Sequence, residues 1–395
     1  MTKPGGISVC AFTKTYGRSS GMAERLESLR KKIDAIDEEL LALFNRRAAI
    51  SCEVGSIKAG EPGIIFKPLR EREVMDNLAE KNPGPLPQEH LRAIWREILS
   101  SSRALQRPQN VAYLGPEGTF SYFAGVEYLG HAAIFHPCTD ITQIFEEICS
   151  NQCELGVVPL ENSLQGTVGV SFDLFLKHTV FIQAELFSRI SHYLLSNAGS
   201  LAAVRTVYSH PQPLAQCGGW LRTHLPNAAL VPVESTAAAA HRAAAQTEAA
   251  AIGHGKLADM TGLAMLAKRI EDAPDNWTRF VVIGKNSETT ARTSPSGAQA
   301  GAAKTSLLFT LPDRAGALSS VLDLLAKNGI NMRKLESRPL RGECWRYVFF
   351  ADVESNLYDP LHTSLCDKMR EVCTSFRILG AYPTCPQLDR LQDGK

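Results

Sequence analysis

The sequence predicts a multi-domain protein whose three domains differ in fold class: an all-α helical domain, an α/β domain and a small ferredoxin-like α+β domain. Residues 24–58 place apolar side chains at alternating spacings of three and four, which is the period of an amphipathic helix. Residues 111–283 alternate short apolar runs with helical stretches, and residues 305–383 follow the order βαββαβ. At roughly 150 residues per domain, a chain of 395 residues has room for two or three domains.

The composition excludes several classes of protein. Lysine and arginine number 42 and aspartate and glutamate 41, so the formal net charge is +1, and 44% of the residues are hydrophobic. A disordered chain would have fewer apolar residues, and a polyanion-binding protein would have a larger positive charge. No apolar run approaches the ~20 residues that span a bilayer. We therefore expect a globular protein that binds neither nucleic acid nor membrane.

Cysteine spacing and the terminal and linking segments suggest a compartment and a domain plan. The ten cysteines include no CxxC pair, so we expect no metal site, and reduced thiols in a cytoplasmic protein. Residues 1–21 lack the apolar core of a secretory signal, and we expect a disordered extension there. Residues 286–304 are rich in Ser, Thr, Ala and Gly, which is typical of a linker.

The first domain, residues 22–107, has cations where its helical pattern requires apolar side chains. Arg47 occupies a position in the apolar seam of the long helix. Lys58, eleven residues further on, lies within about 20° of Arg47 around the helix axis, whereas Arg30 lies about 100° away and could serve a pocket built with a second subunit. Taken alone, an inward arginine is more simply explained by an ion pair with an acid or by a guanidinium that reaches solvent.

Two shorter helices, expected near 69–81 and 88–106, also place polar groups on apolar faces. Glu71 lies on the apolar face of the first, and Ser102 and Gln106 extend the apolar face of the second. Together with the two cations of the long helix, they predict a cationic, hydrogen-bonding pocket inside a helical bundle. Because the charges of the whole domain nearly balance, this focused positive charge suits a small dianion.

The segments LRKKIDAIDEELLALFNRRAAISCEVGSIK, REREV and WREILSSSRALQ resemble the AroQ-type chorismate mutase domain. The resemblance implies an all-helical dimer in which Arg30 crosses into the partner's active site, while Arg47 and Ser102 contact substrate carboxylates. The implied reaction rearranges chorismate to prephenate without proton transfer or a nucleophile. Fixed cations and hydrogen-bond donors suffice for it, because they hold a compact conformer and stabilise the growing negative charge.

The same resemblance implies contacts with the ether oxygen and the hydroxyl group of chorismate. Lys58 and Gln106 would donate to the ether oxygen, and Glu71 would accept from the C4 hydroxyl. Lys67 stands where some members of the family carry an aspartate that helps to hold this hydroxyl. Lys58, Gln106 and Glu71 would form the catalytic part of the pocket, and Lys67 would take part in binding the substrate.

The second domain, residues 110–285, has polar clusters next to its expected strands. We expect strands at 111–114, 155–159, 181–195, 206–208, 230–233, 249–252 and 280–283. Their alternation with helices favours parallel sheets with sites at the strand ends. The loop GPEGTFS lacks the pattern GxGxxG, and no Walker motif is present, so we expect no nucleotide and no other cofactor. Each polar cluster taken alone is also explained as a helix cap or a turn.

The segments GPEGTFS, GVVPLENSLQGTV, VYSHPQPLAQC, ESTAAAA and WTRFVVIG resemble prephenate dehydratase. The resemblance implies a two-lobed α/β domain with the site in the cleft, where prephenate loses water and CO₂ to become aromatic. Thr278 would donate a proton or a hydrogen bond to the leaving C4 hydroxyl, and Arg279 would hold a carboxylate. His210 is an alternative acid, although the proline after it is typical of a turn cap. The cleft would be lined by Glu161, Asn162, Ser163, Ser209, His210 and Gln216.

In the third domain, residues 305–383, the segments LPDRAGAL, NGINMRKLESRPL and GECWRYVFFADVE stand out. They resemble an ACT domain of the phenylalanine-sensing kind. In such domains the turn before the first helix and the next strand form an amino-acid pocket at a dimer interface. A glycine before a helix suits a carboxylate ligand, and it is also ordinary turn chemistry. The implied effector contacts are Gly316, Ala317, Leu318, Glu336, Ser337 and Arg338.

The three resemblances follow the domain order of the bifunctional chorismate mutase/prephenate dehydratase family. They imply a homodimer or larger homo-oligomer that converts chorismate through prephenate to phenylpyruvate and is inhibited by L-phenylalanine. Two alternatives remain open. One is an amino-acid sensor without catalysis, which the intact Thr278-Arg279-Phe280 disfavours. The other is a dehydratase whose helical domain only dimerises, which the inward Arg47 and Lys58 disfavour.

Overall fold

The computed structural model describes residues 17–58, 65–285, 303–340 and 347–384, with side chains from residue 22 onward. The chain divides into two compact units, Met1–Glu61 and Pro62–Lys395. Most of the expected linker lies outside the described residues. Among the described helices, none has the length and apolar character needed to cross a membrane.

The first unit contains one long helix, α1 (Gly17–Lys58), as the apolar spacing predicts. It begins before the expected end of the N-terminal extension, so residues 17–21 are helical; residues 1–16 lie outside the described part of the chain. The side chains of its apolar seam are about half exposed, with 41% at Leu40 and 57% at Ile33. In the part of the chain that the structure describes, much of this apolar stripe is therefore exposed.

The next two helices belong to the second unit and match the predicted positions. They are α2 (Pro68–Glu80) and α3 (Gln88–Gln106). The Arg103 side chain is 4% exposed. Its Nη1 donates to Glu71 Oε1 at 2.5 Å, and its Nη2 donates to the carbonyl oxygen of Leu129. This buried arginine therefore joins α2 and α3 to the α/β region that follows.

A six-stranded sheet forms the first lobe of the α/β region. Its strands are β1 (Asn110–Leu114), β2 (Ile134–Cys138), β3 (Leu155–Asn162), β4 (Gly166–Thr167), β5 (Phe181–Arg189) and β11 (Trp277–Gly284). Their order is β2-β1-β3-β11-β5, with β4 beside β3. The helices of this lobe are α4 (Phe120–Leu129), α5 (Ile141–Cys149) and α6 (Gly169–Lys177).

A five-stranded sheet forms the second lobe. Its strands are β6 (Tyr193–Ser196), β7 (Thr206–Ser209), β8 (Ala229–Pro232), β9 (Ala249–Gly253) and β10 (Ala264–Lys268), in the order β10-β6-β9-β7-β8. The helices are α7 (Pro211–Gln216), α8 (Gly218–His224), α9 (Thr236–Ala244) and α10 (Leu257–Thr261). The small side chains of the alanine-rich α9 allow it to pack closely on the sheet, and most of them are buried.

The structure corrects three expectations for this region. The expected strand 181–195 is two strands in different lobes, separated at residues 190–192. The sheets are mixed rather than parallel, because β11 runs antiparallel to both β3 and β5. Thr278 and Arg279 lie within β11 and not before it. The strands β2 and β10 were not predicted. Their side chains are largely exposed, so their sequences do not alternate between apolar and polar residues.

The third region has the predicted βαββαβ order. Its elements are β12 (Ala303–Thr310), α11 (Ala317–Lys327), β13 (Met332–Pro339), β14 (Tyr347–Val353), α12 (Thr363–Val372) and β15 (Ser375–Pro383). The strands form one antiparallel sheet in the order β13-β14-β12-β15. One face of the sheet is covered by the two helices, whose apolar residues share a core with Leu307 and Phe309.

The other face of this sheet packs on the first lobe. Phe350 and Tyr382 belong to the same buried core as Phe172 and Ile182. At Gly380 a Cβ atom would overlap the carbonyl oxygen of Ile182, so glycine lets β15 approach β5 this closely. The third region therefore packs directly on the lobe that contains β11.

Four charged side chains meet in this buried interface. Arg279 Nε lies 3.0 Å from Glu185 Oε2, and its Nη1 lies 2.6 Å from Asp352 Oδ2. Lys304 forms a second ion pair with Glu185. Because two positive groups balance two negative ones, the cluster has no net charge. The neighbouring Tyr382 hydroxyl accepts from Arg279 Nη2 at 3.0 Å.

The cluster shifts the ionisation of its acid. Burial alone would raise the pKa of Asp352, but Arg279 and Lys304 hold this pKa well below its usual range. The carboxylate form therefore stabilises the fold above the pKa of the unfolded chain, and this contribution is lost only as the pH falls through the depressed folded value.

We predict that Asp352→Asn lowers the free energy of unfolding by about 3–5 kcal/mol, because it leaves an uncompensated buried positive charge. Chemical denaturation of the full chain measures this. The matched control is Glu354→Gln, which weakens a partly exposed ion pair with Arg333 and should cost at most about 1 kcal/mol. Equal losses in the two variants would contradict the role given to the buried cluster.

Candidate active sites

The two lobes are joined by two crossover segments that lie side by side. Residues 190–192 lead from β5 to β6, and residues 269–276 lead back from β10 to β11. The backbone N–H of Ile190 donates to the carbonyl oxygen of Asn276 at 2.8 Å, and that of Ile270 donates to the carbonyl oxygen of His192 at 3.0 Å. Thr278 follows the second crossover directly, so it lies at the junction of the lobes.

The lobes also touch each other away from the crossovers. Gln212 Nε2 donates to Gln165 Oε1 at 2.9 Å, which joins the turn after β3 to α7. In the GPEGTFS loop, a Cβ atom at Gly118 would lie 2.6 Å from the Leu257 side chain of the second lobe. Gly118 has φ +88°, a conformation that glycine adopts without strain. The loop can therefore approach the second lobe closely.

Side chains alternate along β11 and β3, and this divides the expected dehydratase residues into two groups. Thr278 is in register with Asn162, and Arg279 is in register with Glu161. Consecutive residues of a strand point to opposite faces of the sheet. Thr278 and Asn162 therefore share one face, while Arg279 and Glu161 share the face covered by the third region.

Among the expected dehydratase residues, the structure brings Asn162 and Thr278 into direct contact. Asn162 Nδ2 donates to Thr278 Oγ1 at 3.0 Å and to Asn276 Oδ1 at 2.7 Å. Asn162 Oδ1 accepts from the backbone N–H groups of Leu164 and Gln165. Since the turn fixes the Asn162 amide, the amide fixes the position of the threonine hydroxyl.

Arg279 and Glu161 have other partners. The Arg279 side chain is 5% exposed and is bonded to Glu185, Asp352 and Tyr382, so its guanidinium is not available for a substrate carboxylate in this arrangement. Glu161 Oε2 lies 2.7 Å from Lys334 Nζ on β13. The alternation along the strands is the physical reason for both differences from the expectation.

Three other expected cleft residues make local hydrogen bonds. Ser163 Oγ donates to the carbonyl oxygen of Asp275 at 3.0 Å, and Ser209 Oγ donates to that of Ile252 at 2.8 Å. His210 Nδ1 accepts from the backbone N–H of Gln212, so the ring caps α7 as the following proline suggests. These contacts hold the loops in place.

Two histidines at the junction of the lobes were not identified as candidates from the sequence. His192 Nε2 lies 2.7 Å from Oε1 of Gln216, an expected cleft residue. His254 stacks on Phe123 with ring centroids 4.3 Å apart. Burial lowers the pKa of both, that of His254 to about 4, so both rings are neutral at pH 7. If residues 190–192 had been identified from the sequence as a crossover between the lobes, His192 would have been a candidate site residue.

The expected chorismate mutase residues are distributed over the two compact units. Arg30, Arg47 and Lys58 lie on α1; Arg30 is exposed, and the other two are half-buried. Glu71, Ser102 and Gln106 lie on α2 and α3, where Glu71 pairs with Arg103. Ser102 Oγ donates to the carbonyl oxygen of Ile98, and Gln106 Nε2 donates to that of Ser102. Lys67 is exposed immediately before α2.

The expected effector residues lie on different faces of the third region. Gly316 adopts φ +80° before α11, followed by the buried Ala317 and the half-buried Leu318. On β13, Ser337 is exposed. By contrast, Glu336 accepts from Thr167 Oγ1 at 2.5 Å, and Arg338 Nε lies 3.6 Å from Asp173 Oδ1. Glu336 and Arg338 thus point to the first lobe, on the opposite side of the strand from Ser337.

Family models match all three regions of the chain. Chorismate mutase type II matches residues 29–107, prephenate dehydratase 111–288 and the ACT domain 305–357. A bifunctional chorismate mutase/prephenate dehydratase of Stutzerimonas stutzeri is 38% identical over 367 residues, covering 91% of this chain and 98% of the relative. That of Aquifex aeolicus is 39% identical over 364 residues, with the same coverage.

The chain belongs to the bifunctional chorismate mutase/prephenate dehydratase family. It is an enzyme with both activities, an isomerase that forms prephenate and a lyase that acts on it. Because the relatives cover the helical segment, the α/β region and the ACT domain together, the comparisons disfavour both a non-catalytic sensor and a dehydratase whose helices only dimerise.

Two solved structures resemble the chain over about 70% of its length. The prephenate dehydratase of Arthrobacter aurescens in complex with L-Phe has a TM-score of 0.60 and 32% identity, and it covers 70% of this chain and 90% of its own. A structure described as GqqA, a novel type of quorum quenching acylase, has a TM-score of 0.62 and 31% identity, covering 71% of this chain and 99% of its own.

The position of Arg279 leads to a prediction. We expect Arg279→Lys to lower the stability of the full chain while it changes the KM for prephenate less than about twofold, because the guanidinium binds protein carboxylates. Steady-state kinetics and chemical denaturation test this together. A KM raised tenfold with unchanged stability would show instead that Arg279 binds the substrate.

Proposed function

We propose that Thr278 assists the departure of the C4 hydroxyl of prephenate. The observation that carries this proposal is the hydrogen bond from Asn162 Nδ2 to Thr278 Oγ1 at 3.0 Å. Because Oγ1 accepts from the amide, the proton of the threonine hydroxyl remains for another acceptor. A donor fixed in this way stabilises negative charge on a departing oxygen.

The reaction requires little else from the protein. Prephenate loses CO₂ and its hydroxyl group to form an aromatic ring, so the product supplies the driving force and the site supplies orientation and one hydrogen-bond donor. A threonine hydroxyl is not an acid at neutral pH, which fits a donor of hydrogen bonds better than a donor of a full proton. His210 is a weaker candidate, since its Nδ1 already caps α7.

For the mutase reaction we propose a pocket of cations and hydrogen-bond donors. Arg47, Lys58 and Gln106 would contact the carboxylates and the ether oxygen of chorismate, with Arg30 contributed by a partner subunit. Glu71, Ser102 and Lys67 would complete the pocket around the hydroxyl and a carboxylate. Burial lowers the pKa of Arg47 but leaves a guanidinium charged at pH 7, so it can balance a carboxylate throughout the reaction.

We further propose that the chain forms a cytoplasmic homodimer or larger homo-oligomer through α1. The support is the half-exposed apolar seam of this helix, including Ile33 and Ile36 at 57% and 55%. A stripe with period 3.5 is covered most simply by a second copy of itself. The same pairing would bring Arg30 of one subunit to the site of the other.

L-phenylalanine is the proposed inhibitor, and it would bind in the third region. The support is the left-handed turn at Gly316 before α11, where backbone N–H groups can receive a carboxylate, and the L-Phe complex of the Arthrobacter aurescens relative. Together with Gly316, Ala317 and Leu318, Ser337 would contact the inhibitor from the exposed face of β13.

Thr278→Val should reduce phenylpyruvate formation at least about a thousandfold while chorismate consumption stays within about twofold of the parent, because only the dehydratase site loses its donor. Thr278→Ser keeps the hydroxyl and should retain part of the activity. Both rates are followed separately in one assay with purified chain. Parallel loss of the two activities would contradict the model of two separate sites.

Arg47→Ala should have the opposite effect: chorismate consumption falls at least about a hundredfold, whereas supplied prephenate is dehydrated at the parent rate. The reason is that only the mutase pocket loses a charge that balances a substrate carboxylate. The control is Arg46→Ala, one position along α1, which should leave both rates within about twofold. Equal effects at the two positions would remove the support for an inward Arg47.

A further inference from the structure

The two crossover segments and the end of α7 contain buried polar atoms that lack a hydrogen-bond partner among the described residues. They are His192 Nδ1, Asn276 Nδ2 and Gln216 Nε2. A buried polar atom without a partner costs free energy, so native proteins have few of them. Three of these atoms belong to the segments that meet at the junction of the two lobes.

The unsatisfied atom of His192 follows from how its ring is held. The side chain is 1% exposed. Gln216 Oε1 faces Nε2 at 2.7 Å, which places the ring proton on Nε2 and leaves Nδ1 as an acceptor. The backbone N–H of His192 donates to Glu271 Oε2 at 2.8 Å, and the Phe120 ring lies edge-on with centroids 5.5 Å apart. The ring is therefore fixed on several sides.

Asn276 connects this histidine region to the threonine. Its side chain is 1% exposed, and its Oδ1 accepts from Asn162 Nδ2, the same amide group that contacts Thr278. Because Oδ1 is held by this bond, the amide cannot be rotated to satisfy Nδ2. The amide that carries this free N–H group, Asn276, is therefore connected to Thr278 through hydrogen bonds with Asn162.

We propose that His192 and Asn276 bind prephenate in the dehydratase site, the amide donating to a substrate carboxylate and the imidazole Nδ1 accepting from the substrate hydroxyl. This rests on the proposed role of Thr278. Dianionic prephenate has two carboxylates and a ketone as acceptors and one hydroxyl as its single donor, so two amide N–H groups and one neutral nitrogen acceptor match its carboxylates and its hydroxyl. Gln216 supplies the second amide and holds the imidazole in the required tautomer.

The experiment compares variants that remove single atoms. Asn276→Asp keeps the oxygen that accepts from Asn162 but replaces the N–H donor by a negative oxygen. His192→Gln removes the atom equivalent to Nδ1, whereas His192→Asn retains a polar atom near that position. The matched control is His224→Asn, an exposed ring of the second lobe whose Nδ1 lies 3.0 Å from the Trp220 carbonyl oxygen.

We expect Asn276→Asp and His192→Gln to raise the KM for prephenate at least about tenfold, with kcat lowered less than about threefold. His192→Asn should recover part of this loss, and His224→Asn should behave as the parent. In a Thr278→Val background, where turnover is removed, prephenate should raise the unfolding temperature of the parent chain but not of the two variants.

Two results would overturn the inference. One is an unchanged KM in both variants. The other is a normal prephenate-dependent rise in unfolding temperature, which would mean that the residues only support the crossovers or bind water. Failure of the proposed function has a different signature, because Thr278→Val would then still form phenylpyruvate whatever the behaviour of His192 and Asn276.

Discussion

The alternation of side chains along β11 is the constraint on which the rest of the dehydratase region depends. Thr278 and Arg279 are neighbours in sequence, but a strand sends them to opposite faces of the sheet. The threonine meets Asn162 at the junction of the lobes. The arginine enters a buried cluster with Glu185 and Asp352 beneath the third region. One dipeptide therefore links the junction of the lobes to the interface with the third region.

This arrangement gives the regulatory strand a direct physical connection to the dehydratase lobe. Lys334 on β13 lies 2.7 Å from Glu161, the residue before Asn162. Two positions further, Glu336 accepts from Thr167 of β4. Both contacts lie on the face of β13 opposite Ser337, because the strand alternates there as well. A displacement of β13 would therefore be transmitted through these two contacts to β4 and to the end of β3.

Much of the fold could be predicted from the sequence, because the residue patterns that indicate its helices and strands each lie within a short segment. The helical spacing of α1 and α3, the βαββαβ order and the motif around Thr278 are all readable in short windows. Arg279, Glu161 and His192 could not be assigned in this way. The ion-pair partners of Arg279 and Glu161 lie 73 to 173 residues away in sequence. The face of the sheet to which these two side chains point depends on the alternation along their strands. His192 lies in a crossover at 190–192 that looks like continuous strand in the sequence. Neighbouring residues in a motif need not share a site.

We propose that one chain carries out two successive reactions at separate sites under the control of the third region. The most direct measurement incubates the purified chain with chorismate and follows prephenate and phenylpyruvate separately, with and without L-phenylalanine. We predict that prephenate appears first, that phenylpyruvate follows from it, and that L-phenylalanine slows the second step. Chorismate left untouched while supplied prephenate is dehydrated, or prephenate that accumulates without phenylpyruvate, would contradict the account.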